Sequence, residues 1–176
     1  IFTIGHGSRT LPDFLDVLQR AQIETLIDVR AFPASRRYPH FAREALSHAL
    51  GSIGVRYDWR GTALGGFRKP AAASPHSAIE QDAFRGFADH MGSAQFRACC
   101  AELVERAQCE RVVIMCAERL PQQCHRSFIA DFLLAQKIEI IHLLDEAQQP
   151  HRMQSTARLH DGELIYDGGV GRSLFD

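Results

Sequence analysis

The chain has 176 residues, enough for one domain with a core of its own and no need of stapling disulfides. A composition 45% hydrophobic and 23% charged, with a formal net charge of −1, is that of a soluble globular protein and supplies no basic field for nucleic acid or an anionic membrane. No apolar run approaches the roughly 20 residues of a membrane span, no signal peptide opens the chain, and 5 cysteines form no regular framework, so reduced thiols and a cytoplasmic location are expected.

The chain opens at Ile1, already within strand-like sequence, so the natural protein is expected to carry an initiator Met and a short stretch ahead of it. Ile1 to Ile4 reads as a strand, running into Gly5-His6-Gly7-Ser8, where two glycines permit a tight turn and close approach of backbone to a ligand. Thr10 and Asp13 have capping-box spacing, Pro12 suits a first helical turn, and Leu11, Phe14, Leu15 and Leu18 share one face; together they predict a helix over 11–21. Thr25 to Arg30 is the second strand, and Asp28 and Arg30, alternating with Val29, point to one face of it. A loop with Pro33, Ser35, Arg36 and Arg37 follows. A helix is expected through Phe41, Ala42, Ala45, Leu46, Ala49 and Leu50, closed by Gly51 and Gly54, and then a short strand over 55–59.

From Arg60 to Glu80 the sequence is loose, longer than a compact domain normally leaves without structure, and reads as a lid, a binding loop or disorder. Within it Leu64-Gly65-Gly66-Phe67-Arg68 is the most site-like stretch, because paired glycines free backbone N–H groups ahead of a guanidinium. Phe84, Phe87, Ala88 and Met91 predict a helix. Ser93 caps another, on which Phe96, Cys100, Leu103 and Ala107 share a face, so Cys99, Cys100 and Cys109 read as core or flanking residues. Val112 to Cys116 reads as a strand buried on both faces, followed by a polar loop to Gln123 and a helix opened by Cys124, His125 and Arg126. Ile138 to Leu144 is a further strand. Arg158 to Tyr166, with Asp161-Gly162 at its centre, is a β-hairpin, and Gly168, Gly169 and Gly171 make a loose tail. This order predicts an α/β fold: an open, mostly parallel Rossmann-like sheet with helices on both faces and a C-terminal β-hairpin.

Ligands of such sheets collect beyond the carboxyl ends of the strands. Three strands here end in polar residues: the first in His6 and Ser8, the second in Asp28 and Arg30, the third in Cys116 and Glu118. If parallel neighbours, they meet Cys124, His125 and Arg126 on one edge. Each has a bland reading. Cys116 is equally a buried strand residue, His125 a capping-region histidine, Asp28 a brace for Arg30, and Arg36 and Arg37 solvated loop charges, with the alternative that one of the two faces the site. Only Lys69 and Lys137 of the 20 Lys and Arg residues are Lys; this fits coding bias as well as a preference for bidentate anion binding. The phosphatase loop is excluded, since Gln122 and Ala130 stand where its Arg would fall, and so are a Walker loop, GxGxxG and CxxC. Cys116, Cys124 and His125 are potential metal ligands, though C-x7-C-H is not a standard structural zinc spacing; no metal ligand is assigned and the cofactor is left open.

TIGHG near the start, DVR followed by PASR, the LGGFR loop, and MCAE followed by CHR resemble the bacterial and archaeal family catalogued as domain of unknown function 488, over about residues 2–145. Gly7 stands where the family pattern has Ser after the histidine. The resemblance implies functional positions at Gly5, His6, Asp28, Arg30, Ser35, Arg36, Leu64, Gly65, Gly66, Arg68, Cys116, Glu118, Cys124, His125 and Arg126; the family has no settled activity, so it implies a location and not a reaction. The leading expectation is an enzyme, a hydrolase or transferase, on a small anionic substrate such as a nucleotide or phosphosugar. Arg30, Arg36, Arg126 and Arg68, with Gly5, Ser8, Ser35, Gly65 and Gly66, would bind it. Cys124 or Cys116 would act as nucleophile, Glu118 or Asp28 as acid or base, and His6 or His125 as proton shuttle. Two alternatives are a non-catalytic nucleotide or nucleic-acid-binding regulatory module and a Cys/His metal protein. The near-neutral charge argues against nucleic acid, no membrane partner is expected, and the oligomeric state is undetermined.

Overall fold

The structure, a computed structural model, describes residues 1–145 and 147–168. Six strands form the main sheet: β1 (Phe2–Gly5), β2 (Thr25–Asp28), β3 (Arg56–Trp59), β4 (Val112–Cys116), β5 (Ile141–Leu144) and β6 (Ala147–Pro150). Their order is β3-β2-β4-β1-β5-β6, parallel throughout except that β6 runs against β5. The dinucleotide-binding order 3-2-1-4-5-6 is therefore altered, with β4 inserted between β2 and β1. A separate antiparallel hairpin, β7 (Ala157–His160) and β8 (Glu163–Tyr166), turns through Asp161 and Gly162, both at positive φ, as an Asp-Gly turn requires.

Six helices cover the sheet: α1 (Leu11–Arg20), α2 (Arg43–Ser52), α3 (Gly61–Leu64), α4 (Asp82–Met91), α5 (Ala94–Ala107) and α6 (Arg126–Ala135). The α1 cap is as the sequence predicts: the Thr10 hydroxyl accepts from the Asp13 N–H at 3.3 Å and donates to its carboxylate at 2.7 Å. The alternation along each strand divides the core. Ile4, Leu26, Val113 and Met115 face α1 and α2 through Phe14, Leu18, Leu46 and Leu50. Ile27, Val29, Ile114 and Cys116 face α4, α5 and α6 through Phe87, Phe96, Leu103, Phe128 and Ile129. Central strands with both faces covered must be apolar on both, which is why β4 is an unbroken apolar run, buried along its length.

The structure departs from expectation in several places. The 60–80 stretch is not wholly irregular, since α3 occupies its start and Arg68 donates to the carbonyls of Thr62 (2.6 Å) and Gly65 (3.2 Å). β2 ends at Asp28 and β5 begins at Ile141, after Lys137 turns the chain at φ 65°. β6 was not anticipated: Ala-Gln-Gln-Pro has no strand pattern, and its pairing with β5 sets its conformation. Gly169 and Gly171 of the expected tail lie outside the described residues. Among the described residues, no helix is long and apolar enough to cross a membrane.

Candidate functional site

β1 and β4 are neighbours whose following helices leave toward opposite faces, α1 to one and α6 to the other. Chains that part in this way open a crevice at the carboxyl edge of the sheet. There lies a cleft of about 770 Å³, lined by His6, Gly7, Arg30, Ser35, Gly66, Cys116, Glu118, Cys124 and His125 among others. A second hollow of about 530 Å³, between the hairpin and α4–α6, contains His76, Asp89, Arg97 and Glu163. Its charged groups are already partnered, Arg97 with Glu163 at 3.0 Å and the Asp89 carboxylate with the Ala71 N–H at 2.8 Å.

Arg30 and His6 form one wall. Asp28, 0% exposed, accepts from Arg30 Nε (2.9 Å), Nη2 (2.6 Å) and the Arg30 backbone N–H (3.0 Å), and from the Tyr57 hydroxyl at 2.6 Å. This bidentate brace fixes the guanidinium and leaves Nη1, which lies 3.5 Å from His6 Nε2. Burial and the carboxylate beside it hold Tyr57 protonated well above the ordinary phenol range. The His6 Nδ1 hydrogen is directed to the Gly7 carbonyl at 3.0 Å, so Nε2 is the bare nitrogen facing Arg30. The ring stacks on Phe41 at 4.3 Å. Burial first, and then the Arg30 charge, push its pKa down to about 4, so His6 is neutral at physiological pH.

The opposite wall is a sulfur–imidazole cluster. His125 Nε2 lies 3.2 Å from the Val29 carbonyl, an acceptor only, so Nε2 carries the ring hydrogen. Nδ1 is then a lone pair, and it stands 3.7 Å from Cys116 Sγ and 3.7 Å from Cys124 Sγ. The two thiols are set apart. A hydrogen bond from Cys124 holds the Cys116 thiol below its ordinary range against the opposing effect of burial, helped by the Arg126 charge and the Ala117 and Glu118 N–H groups. Burial drives Cys124 well above that range. Cys116 is also near enough to Arg30 to favour its charged form, which ties the two walls together.

Several expected residues take other places. Arg126 is 1% exposed and its guanidinium donates to the carbonyls of Glu118 and Arg119 (2.7 Å for the latter), bracing the loop before α6 instead of facing the cleft. Its Nε has no hydrogen-bond partner among the described residues. Gly5 is there for that brace: a Cβ on it would lie 1.7 Å from the Glu118 carbonyl oxygen. Ser8, Arg36, Arg68 and Gly65 do not line the cleft, and Arg68 serves α3 instead. Ser35 does line it, with its hydroxyl accepting from the Tyr38 N–H at 2.9 Å. Gly66 lies against the His125 ring, where a Cβ would come within 3.2 Å of Nδ1. The Glu118 side chain is exposed at the mouth.

The sequence left open which of Arg36 and Arg37 faces the site, and it is Arg37 that lines the cleft; what the reading missed is two exposed rings at the rim, Phe32 (74%) and Phe67 (81%), with centroids 6.1 Å apart. Phe67 has φ 61°, a rare conformation for a bulky residue. The available signal was an aromatic directly after Gly65-Gly66. It also missed Tyr57, whose contact with Asp28 crosses from β3 to β2.

No curated protein and no solved structure shows a significant match to this chain. The family model described as "Domain of unknown function DUF488" matches residues 10–133, a span that takes in β2, β4, the loop before α6, and all of the site except its β1 residues. On that match, the chain belongs to the DUF488 family.

Proposed function

We propose that the protein is an enzyme, a hydrolase or transferase, acting on a small anionic substrate bound at the carboxyl ends of β1, β2 and β4. The observation that carries this reading is the pinned Arg30. A cleft-lining guanidinium held on one side by a buried carboxylate is an anion anchor with its orientation already fixed. His6 stands beside it as a neutral imidazole whose Nε2 is a hydrogen-bond acceptor, able to orient a water or a substrate hydroxyl. The sulfur–imidazole cluster across the cleft forms the other half of the reacting centre, and Arg37 and Glu118 set the charge at its mouth. A substrate bridging the walls lies between a fixed positive charge and groups able to attack or polarise it.

The test is calorimetric binding of inorganic phosphate, ribose 5-phosphate and nucleoside monophosphates to wild type and to Arg30→Lys. Lysine keeps the charge but loses the fork, so at least one phosphorylated probe should bind wild type and weaken about tenfold or more in the variant, the worth of a charge-assisted hydrogen bond. Equal affinity in the two proteins, with circular dichroism unchanged, refutes Arg30 as the anchor.

A further inference from the structure

We propose that Cys116, Cys124 and His125 bind a zinc ion whose fourth coordination position opens into the cleft. The inference goes beyond the anion reading and does not depend on it. Cys116 Sγ, Cys124 Sγ and His125 Nδ1 all lie within 4.8 Å of one another, and each sulfur is 3.7 Å from Nδ1. Zinc–sulfur bonds of about 2.3 Å and zinc–nitrogen bonds of about 2.0–2.1 Å in tetrahedral array place sulfur and nitrogen about 3.6 Å apart. The two sulfur–nitrogen separations therefore already match edges of a zinc tetrahedron.

Their surroundings fit as well. A metal-bound imidazole ordinarily gives its other N–H to a carbonyl or carboxylate, which fixes the ring. His125 does this through Nε2 to Val29, with Nδ1 turned to the sulfurs. Cys124 Sγ accepts the Arg126 backbone N–H at 3.5 Å, a bond suited to a coordinated thiolate. The ligands come from the end of a central strand and the start of a helix, elements that hold a constellation more tightly than free loops. Two thiolates and one divalent ion sum to zero charge, which removes the cost of burying the sulfurs ionised. Soft sulfur with imidazole selects zinc over magnesium or calcium. All three residues line the cleft, so the side of the ion left uncovered faces the space assigned to substrate. Three protein ligands plus an open position is the arrangement of catalytic rather than structural zinc sites.

The test uses untagged, reduced, full-length protein. Elemental analysis after zinc-supplemented expression should find about one zinc per chain. Cobalt titration of the metal-free wild type should produce a sulfur-to-cobalt charge-transfer band in the near ultraviolet. Cys116→Ser and Cys124→Ser should each weaken cobalt binding by about 100-fold or more, since even loss of an outer partner costs 10–100-fold, while Cys109→Ser, at an exposed cysteine, should leave it unchanged. Should the serine variants fold poorly, protection of two wild-type thiols from alkylation by stoichiometric zinc decides the same question. Reduced wild type with no charge-transfer band, or zinc that leaves every thiol equally reactive, overturns the site. Phosphate binding that persists in the metal-free protein would leave the Arg30 anchor standing while this proposal fails.

Discussion

Replacing Gly5 by Ala is the sharpest test of how the site is assembled. The new Cβ would fall 1.7 Å from the Glu118 carbonyl oxygen, 2.6 Å from its carbon and 2.7 Å from Arg126 Nη1. None of these is the loose end of an exposed side chain. Gly5 is held in the sheet opposite Cys116, and Arg126 is packed in the core, so the loop carbonyl must retreat by more than an ångström. Overpacking of this kind costs about 1–3 kcal/mol. Pulling Glu118 off Arg126 forfeits a charge-assisted hydrogen bond worth about 1.5–3 kcal/mol, at a guanidinium whose Nε is already without a partner. The sum, roughly 2.5–6 kcal/mol, corresponds to a fall in Tm of roughly 5–24 °C for a chain of this size. Differential scanning fluorimetry reads this directly. Gly51→Ala is the matched control: nothing lies within 4 Å of its added Cβ, and in helix α2 the change should stabilise by about 0.5–1 kcal/mol. A Gly5→Ala protein melting within 2 °C of wild type, a small fraction of the fall worked out above, would refute the claim that the Arg126 brace needs a bare backbone at β1.

Arg30→Ala should destabilise by about 3–5 kcal/mol in urea titration, because it strands a carboxylate in the core; Asp28→Ala combined with it should cost less than the two single changes added together. His6 and His142 both have pKa values lowered from 6.5 to about 4, chiefly by burial. The unfolded chain therefore takes up protons below pH 6.5 that the folded chain refuses until about pH 4, and each histidine removes up to roughly 3 kcal/mol over that window. Tm should fall as pH drops from 7 to 5, and a flat profile would contradict the burial of both rings. Asp131→Ala should cost about 3–5 kcal/mol by chemical denaturation, since the buried carboxylate accepts from His151 (2.8 Å), Gln154 (3.1 and 2.6 Å) and Tyr166 (3.0 Å), and its loss leaves all of those donors unmet.

Those elements whose residues repeat with one period and end in clear signals were legible in the sequence. α1 has its cap and its face, β4 its apolar run, and the hairpin its Asp-Gly turn. β6 was hidden because Gln148 and Gln149 adopt strand geometry only when β5 lies alongside. The meeting of His6, Arg30, Cys116, Cys124 and His125 followed from a single rule, that parallel strands end on one edge. Which guanidinium faces outward did not follow. Arg126 and Arg30 both stand at element ends, and only tertiary packing shows that the first is occupied by backbone carbonyls while the second lines the cleft. Tyr57 was missed, and the choice between Arg36 and Arg37 left open, for a similar reason, because their roles depend on neighbours distant in the chain or on a loop's exact path.

The sheet's outermost strand has a further effect on how the molecule behaves in a crowd. β6 is exposed along its length, carries two amides where a sticky edge would carry Val or Ile, and closes with Pro150, which has no N–H to offer an arriving strand. A neighbouring copy seeking to extend the ladder meets a broken row of donors and a hydrated rim. At this margin the protein resists polymerising by its own backbone, a safeguard for a fold whose interior strands are as apolar as those of a fibre.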